Sequence, residues 1–333
     1  MPNAALSVAF AGPLVTVQDA GRPGNMRFGV SASGPMDRLA FDAANAALGN
    51  ATGQSAIEVS LGGVILQCRE GDVTIAITGG DFVVAHGAAE TRSWTVLTLR
   101  KGERLAVRAG KSGIWAYIAF AGTIEATEWL GSRATHSTSG FGGGALQTGQ
   151  SLTVSDATTR EDRLGDIERP DFIPNGPIRV VTGPQDQYFA PETVAQFLSS
   201  AFKITDAYDR MGMRLNGPRL ELDGALSIPS EPIVRGSVQV SGDGVPTVLL
   251  ADHQTTGGYP KIATVVSSDI GRLAQTRAGD TIQFTAISSQ QAITEARECV
   301  KRTTDYLAHI AVPRGTLEQR LMRENLIHGC IYD

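Results

Sequence analysis

The sequence predicts a β-rich chain of two domains with only a few helices. Three observations lead there. The 333 residues exceed the ~250–300 at which a single core stops growing. The 38 glycines mostly punctuate short alternating runs, as turns between strands do. One polar, proline-punctuated stretch, SDATTREDRLGDIERPDFIPNGP at 155–177, reads as a domain boundary. The expected organisation is a β-rich domain over 1–160, a linker over 161–177, a second β domain over 178–290 and a helical tail over 291–333.

The strands follow from a recurring element, a glycine, a polar residue and then alternation. It occurs at Gly71-Asp72-Val73, Gly102-Glu103-Arg104, Gly149-Gln150-Ser151 and Gly279-Asp280-Thr281. Each is a turn feeding a strand, and such hairpins fold into barrels or sandwiches. Further strands are expected at 57–59, 64–66, 82–84, 94–99, 114–120 and from 178. A helix starts after residues 33–37, with Ser33 or Gly34 as N-cap, Pro35 in the first turn and Asp37 near the positive end of the dipole. Its alanine-rich face packs, and Gly49 stops it. A short helix begins at Pro191 with Val194, Phe197, Leu198 and Ala201 inward. A tail helix begins at Ser289, its apolar face formed by Ile293, Ala296, Val300 and Leu307, and an amphipathic piece over 317–326 closes the chain.

Composition narrows the function. Hydrophobic residues at 42% and charged ones at 19% describe an ordinary globular protein. A net charge of −5 argues against a nucleic-acid partner, which favours a basic face. Cys68, Cys299 and Cys330 lie far apart, with no disulfide framework and no metal spacing, so a reducing, cytoplasmic setting is expected. No run approaches the ~18 apolar residues of a membrane span. Five histidines without ligand spacing give no metal site. There is no Gly-X-Ser-X-Gly elbow, and Gly79-Gly80 lacks the Lys-Ser/Thr that completes a phosphate loop.

The stretch LLADHQTTGGYPKIATVVSSD at 249–269 presents polar groups between two apolar strands. It reads either as a hairpin with a polar tip or as a binding loop, with Gly257-Gly258 letting backbone N–H groups approach a ligand. Asp19 and Arg22 lie three apart across a turn. They either pair with each other or face a substrate carboxylate or phosphate. Arg210 and Arg214 converge on one anion if the chain turns at Gly212, or else sit on a strand edge paired to Asp209 and Glu221. Glu231 and Gln239 are placed to line one pocket with Asp252.

Several motifs occur in order over roughly 12–287. They are Val-Gln-Asp-Ala-Gly-Arg-Pro-Gly at 17–24, Ser-Gly-Pro-Met-Asp at 33–37 with Asn45 downstream, and Asp-Arg-Met-Gly-Met-Arg-Leu at 209–215. Ser-Glu-Pro-Ile-Val-Arg-Gly-Ser-Val-Gln-Val at 230–240 and Asp-His-Gln-Thr-Thr-Gly-Gly-Tyr-Pro at 252–260 follow. The chain resembles the KipA family, also called allophanate hydrolase subunit 2 or the C-type component of bacterial 5-oxoprolinase, and is similar to part of the urea carboxylase carboxyltransferase domain. His136 departs from the family pattern, which has an acidic residue there, and the part played by His253 is open.

The resemblance implies two β-barrel-like domains, the C-terminal one cyclophilin-like, and opening of the 5-oxoproline lactam to glutamate. It also implies ATP at the level of the complex, a KipI-like B subunit and an A-type subunit. The catalytic candidates are Asp252, Glu231, Arg214 and Arg210. Asp19, Arg22, Ser33, Asp37, Asn45, Gln239, Thr255, Thr256, Gly257, Gly258 and Tyr259 are expected to bind substrate. Arginine holds a carboxylate or phosphate, Asp252 or Glu231 handles the lactam N–H, and the Thr255–Gly258 groups bind its carbonyl oxygen. Two alternatives stand beside this: a carboxyltransferase component acting on urea or a related amide and dependent on biotin, and a regulatory KipI-binding protein without turnover.

Overall fold

Alternation in the first half resolves into two sheets around a shared core. The computed structural model describes residues 3–224, 227–316, 318, 319 and 322. One sheet has seven strands, in the order Thr123–Ile124, Ser151–Ser155, Ala4–Ala11, Val64–Glu70, Arg104–Ala109, Phe82–His86 and Ala89–Arg92. The other has six, in the order Gly165–Asp166, Thr95–Leu99, Val73–Gly79, Ala116–Phe120, Ala56–Val59 and Thr16–Gln18. Leu6, Val8, Leu66 and Val107 of the first sheet meet Ile57, Ile75, Ile77 and Ile118 of the second in one buried cluster. The protein is thus mainly β, as its turn pattern predicts.

The six-stranded sheet is covered on both faces, which explains why Val73–Gly79 and Ala116–Phe120 are buried at every position. Its outer face carries α1 (Arg38–Leu48), whose buried Ala40, Ala43, Ala44 and Ala47 allow close approach to the strands. The N-cap is Asp37, not Ser33 or Gly34: its Oδ1 accepts from the Ala40 N–H at 3.2 Å. Gly49 ends α1 at φ 71°, a left-handed conformation that suits glycine.

The second half is a closed barrel. Its strands run Ile178–Thr182, Lys261–Val265, Ser237–Val240, Pro246–Leu249, Gly212–Asn216, Ala201–Tyr208 and Thr281–Ala286. Closure is a parallel pairing of the last with the first, Ile178 opposite Phe284. The barrel core, with Val238, Val248, Ile262 and Phe284, is continuous with the residues between α1 and the sheet. The two halves therefore share a hydrophobic cluster.

Several local expectations change. Residues 165–166, expected in a linker, form an edge strand against Thr95–Val96, and Ile167 is buried. Helix α2 (Pro191–Ser199) stops before Ala201, which opens an exposed strand position. Helix α3 (Ser267–Ala274) follows the barrel strand Lys261–Val265. Helix α4 (Ser289–Ile310) is capped by a reciprocal Ser288–Gln291 box. Its expected apolar face is only partly used, because Ile293 and Val300 stay exposed while Tyr306, Leu307 and Ile310 pack. The amphipathic piece over 317–326 lies almost wholly outside the described residues. No helix among the described residues is long and apolar enough to cross a membrane.

Candidate functional site

The 250–260 loop is not a hairpin tip. Its flanking strands, Pro246–Leu249 and Lys261–Val265, pair with opposite edges of Ser237–Val240, so the loop crosses over that strand. Midway, Thr256–Gly257 pairs with Glu231–Pro232 in a two-stranded ribbon. Neither Gly257 nor Gly258 adopts positive φ. Gly257 packs closely against Gln239 instead: a Cβ there would stand 2.5 Å from the Gln239 side-chain nitrogen.

The head of the loop is fixed in the seam between the halves. Asp252 Oδ2 accepts from Arg210 Nε at 2.9 Å and from the Ser137 N–H at 2.9 Å, while Oδ1 accepts from Arg210 Nη2 at 3.0 Å. Arg210 also donates to Glu58 and, at 2.7 Å, to the Gly34 carbonyl. Glu58 in turn accepts from the Met36 N–H and the Tyr117 hydroxyl, each at 2.8 Å. Burial opposes charge on Arg210, but Asp252 and Glu58 outweigh it and hold the guanidinium above its usual value. Burial likewise pushes Asp252 up, yet Arg210 and Ser137 bring its carboxyl down to about 2. Asp252 is thus an ionised carboxylate at neutral pH, held by Arg210 and Ser137. Asp252 and Arg210, both expected among the catalytic residues, pair with each other.

Arg214 does not join them. Gly212 begins a strand rather than a turn, so Arg214 points outward and pairs with Asp243 at 2.6 Å. Glu231 sits on the ribbon beside Gln185 and Lys261, with no contact to Asp252. Asp19 and Arg22 also do not pair. Asp19 accepts from Gly21, Ser132 and Arg133 within the loops, whereas Arg22 donates to Ser33 Oγ at 3.2 Å and to the Ala134 carbonyl. Arg22 lies 5.0 Å from the Trp129 ring, and its Nε is buried with no partner among the described residues. Burial lowers its pKa from the usual guanidinium value.

Asp37 and Asn45 are structural in this arrangement. Asp37 caps α1 and accepts from Gln275 Nε2 at 2.9 Å. Burial raises its carboxyl pKa. Asn45 donates to the Gln54 carbonyl at 2.9 Å and accepts from Asn50. Ser33, at φ 53°, is held by Arg22. Gln239 is buried beneath the ribbon, whereas Thr256 and Tyr259 are exposed. His136 bonds to Ser139 in an outer loop.

Sequence reasoning gave no role to His253. Its Nδ1 lies 2.6 Å from the Gln254 carbonyl, and a carbonyl only accepts, so Nδ1 carries the proton and Nε2 the lone pair. Nε2 makes no hydrogen bond among the described residues. Burial lowers the imidazole pKa, leaving a neutral base next to Asp252 at the seam. The signal was the Asp-His pair itself, inside a loop already singled out. A cleft of about 1270 Å³ between α1, α3 and α4 does not reach this loop. Several of its arginines are committed there, Arg179 to Asp269 and Glu295 and Arg277 to the Gly110 and Gly113 carbonyls.

A sandwich and a closed barrel joined across a polar seam define a two-subdomain carboxyltransferase-type architecture. Residues 28–286 match the family model described as carboxyltransferase domain, subdomain A and B, and the chain belongs to that family. It is 37% identical over 282 residues to the C-type component of the Haemophilus influenzae 5-oxoprolinase, covering 83% of this chain and 89% of that one. It is 32% identical over 307 residues to the C-type component of the Escherichia coli 5-oxoprolinase, covering 91% and 97%. The crystal structure of the K. lactis urea amidolyase superposes with a TM-score of 0.80 at 26% identity, covering 91% of this chain and 20% of that one. The chain therefore spans nearly the whole length of the two oxoprolinase components and about a fifth of the urea amidolyase.

Proposed function

We propose that this chain is the C-type component of an ATP-dependent 5-oxoprolinase, opening the 5-oxoproline lactam to glutamate in the cytoplasm with a KipI-like B subunit and an A-type subunit. The observation that carries the reading is its likeness to two proteins named as C-type 5-oxoprolinase components along 89% and 97% of their lengths. Within this chain, His253 Nε2 is the group suited to moving a proton at the lactam nitrogen or at an attacking water. Thr255, Thr256 and the Gly257-Gly258 amides lie on the same loop and supply donors for the carbonyl oxygen.

The Gly79-Gly80 turn does not fit ATP. A Cβ at Gly80 would lie 2.8 Å from the Gly113 Cα, so the Gly79-Gly80 turn serves close backbone packing and not a phosphate cradle. On this reading the ATP site belongs to the complex, and this chain's residues act on the lactam.

A second reading has its own support. The family model is that of a carboxyltransferase, and the K. lactis urea amidolyase shares the fold. On that reading the chain works with biotin on urea or a related amide. Co-expression with B- and A-type partners, followed by assay of glutamate from 5-oxoproline with and without ATP, separates the two. ATP-dependent glutamate that is lost when this chain is omitted supports the oxoprolinase. A folded complex that makes none, but transfers a carboxyl group once bicarbonate and a biotin carrier are added, replaces it. A stable complex with the B-type partner and no turnover in either assay favours the regulatory role.

A further inference from the structure

Beneath the Glu231–Pro232/Thr256–Gly257 ribbon lies a polar floor on the outside of the barrel. Gln239 and Lys261 are register partners on neighbouring strands and are only 4% and 3% exposed. Val238 and Val240, on either side of Gln239, belong to the barrel core, so Gln239 faces out toward the ribbon. Gln185, also buried, accepts from the Lys261 backbone N–H at 3.0 Å and donates to Glu231. The Lys261 ammonium has three donors but, among the described residues, finds only the Pro232 carbonyl at 3.4 Å and Glu231 Oε2 at 3.7 Å. Both are longer than a good hydrogen bond. Packing alone gives no reason to bury an incompletely paired ammonium beside two carboxamides. Glu231, with its side chain 52% exposed, reaches in from the solvent side to meet it.

We propose that Lys261, Gln239 and Gln185 form a binding site for a small ligand carrying a carboxylate close to an amide, with Glu231 of the ribbon holding the carboxylate position in this conformation. The ammonium matches a carboxylate, and the Gln239 carboxamide matches an amide, donating to its carbonyl and accepting from its N–H. The ribbon's two-residue ladder is flanked by the Ile233 N–H to the Thr255 carbonyl at 3.2 Å and the Ile228 N–H to the Gly258 carbonyl at 2.8 Å, so the half-exposed Glu231 side chain is the part that yields to a ligand. The choice of 5-oxoproline as first probe rests on the oxoprolinase reading, whereas the site itself does not.

The test is calorimetric titration of the full chain with 5-oxoproline and, separately, with N-acetylglycine, which has the same two groups and no ring. Lys261→Met is expected to weaken binding by about tenfold or more. Glu231→Gln, which removes the competing carboxylate, is expected to strengthen it. Gln239→Glu supplies an internal partner for Lys261 and is expected to abolish binding, which keeps the test open should Lys261→Met fail to fold. No binding of either probe to the unmodified chain, or binding indifferent to these substitutions, overturns the site. Lysine-dependent binding of N-acetylglycine alone keeps the site and removes the oxoprolinase reading. Binding of 5-oxoproline that ignores Lys261 does the reverse.

Discussion

Arg210 of the barrel and Glu58 of the sandwich form an ion pair in which both side chains are 0% exposed. Asp252 completes a buried triad on the same guanidinium. Such a group adds little over a well-packed apolar core, but losing one member leaves unpaired buried charge.

Arg210→Met is therefore expected to lower stability by about 3–5 kcal/mol, since it strands Glu58 and Asp252 together. Arg214→Ala, four residues on, breaks only the exposed pair with Asp243 and is expected to change stability by no more than about 0.5 kcal/mol. Urea unfolding of both variants measures the difference. Equal losses would show that the seam is not what couples the halves.

Acid should attack the same seam. The Asp252 carboxyl is depressed to about 2 in the folded chain, below the unfolded value of about 3.9. A depressed carboxylate contributes stability that is fully present above the unfolded value and is lost as pH falls through the folded one. The contribution, roughly 2 kcal/mol, is expected to disappear between about pH 4 and pH 2. Asp252→Asn should flatten that part of the stability–pH curve. An unchanged slope in the variant would assign the acid sensitivity elsewhere.

Gly257 tests the ribbon. A Cβ there meets the Gln239 amide at 2.5 Å, so Gly257→Ala is expected to destabilise the chain by about 1–3 kcal/mol. Adding Gln239→Ala removes the obstructing atoms, and the double variant should recover much of the loss. Simple additivity in thermal unfolding would place the strain in the backbone instead.

Much of the fold is legible in the sequence because strands announce themselves locally. The glycine–polar–alternation element marks Val73–Gly79, Arg104–Ala109, Ser151–Ser155 and Thr281–Ala286, and the Asp37-to-Gly49 interval marks α1. The helix cap was misplaced because 33–37 offers three residues able to cap, and only the Ala40 N–H decides among them. The site was harder. Motif order drew attention to Arg210, Asp252, Glu231 and Arg214 alike, yet strand register turns Arg214 out, while the bend ahead of that strand turns Arg210 in. No local pattern reveals that Glu58, 152 residues from Arg210, is its partner. Lys261 escaped notice because it looked like a loop end, when it is the first residue of a barrel strand roofed by a ribbon.

His253 separates positioning from chemistry. With Nδ1 donating to the Gln254 carbonyl, Nε2 is the free base, and burial lowers the pKa from the ordinary value of about 6.5. The base form therefore prevails at neutral pH, and turnover by the assembled complex should decline only as pH falls below that ordinary value. His253→Ala is expected to reduce turnover by about 10²–10⁴-fold, the usual contribution of a general base. It should cost no more than about 1–2 kcal/mol of stability, the scale of one lost hydrogen bond. The informative readout is the acid limb of kcat/KM, because a merely structural histidine would lower the whole profile without reshaping it. Loss of the limb together with the rate places His253 at the reacting atoms. A profile of unchanged shape would return it to the role of holding the loop, and the search for the base would move to the ribbon side.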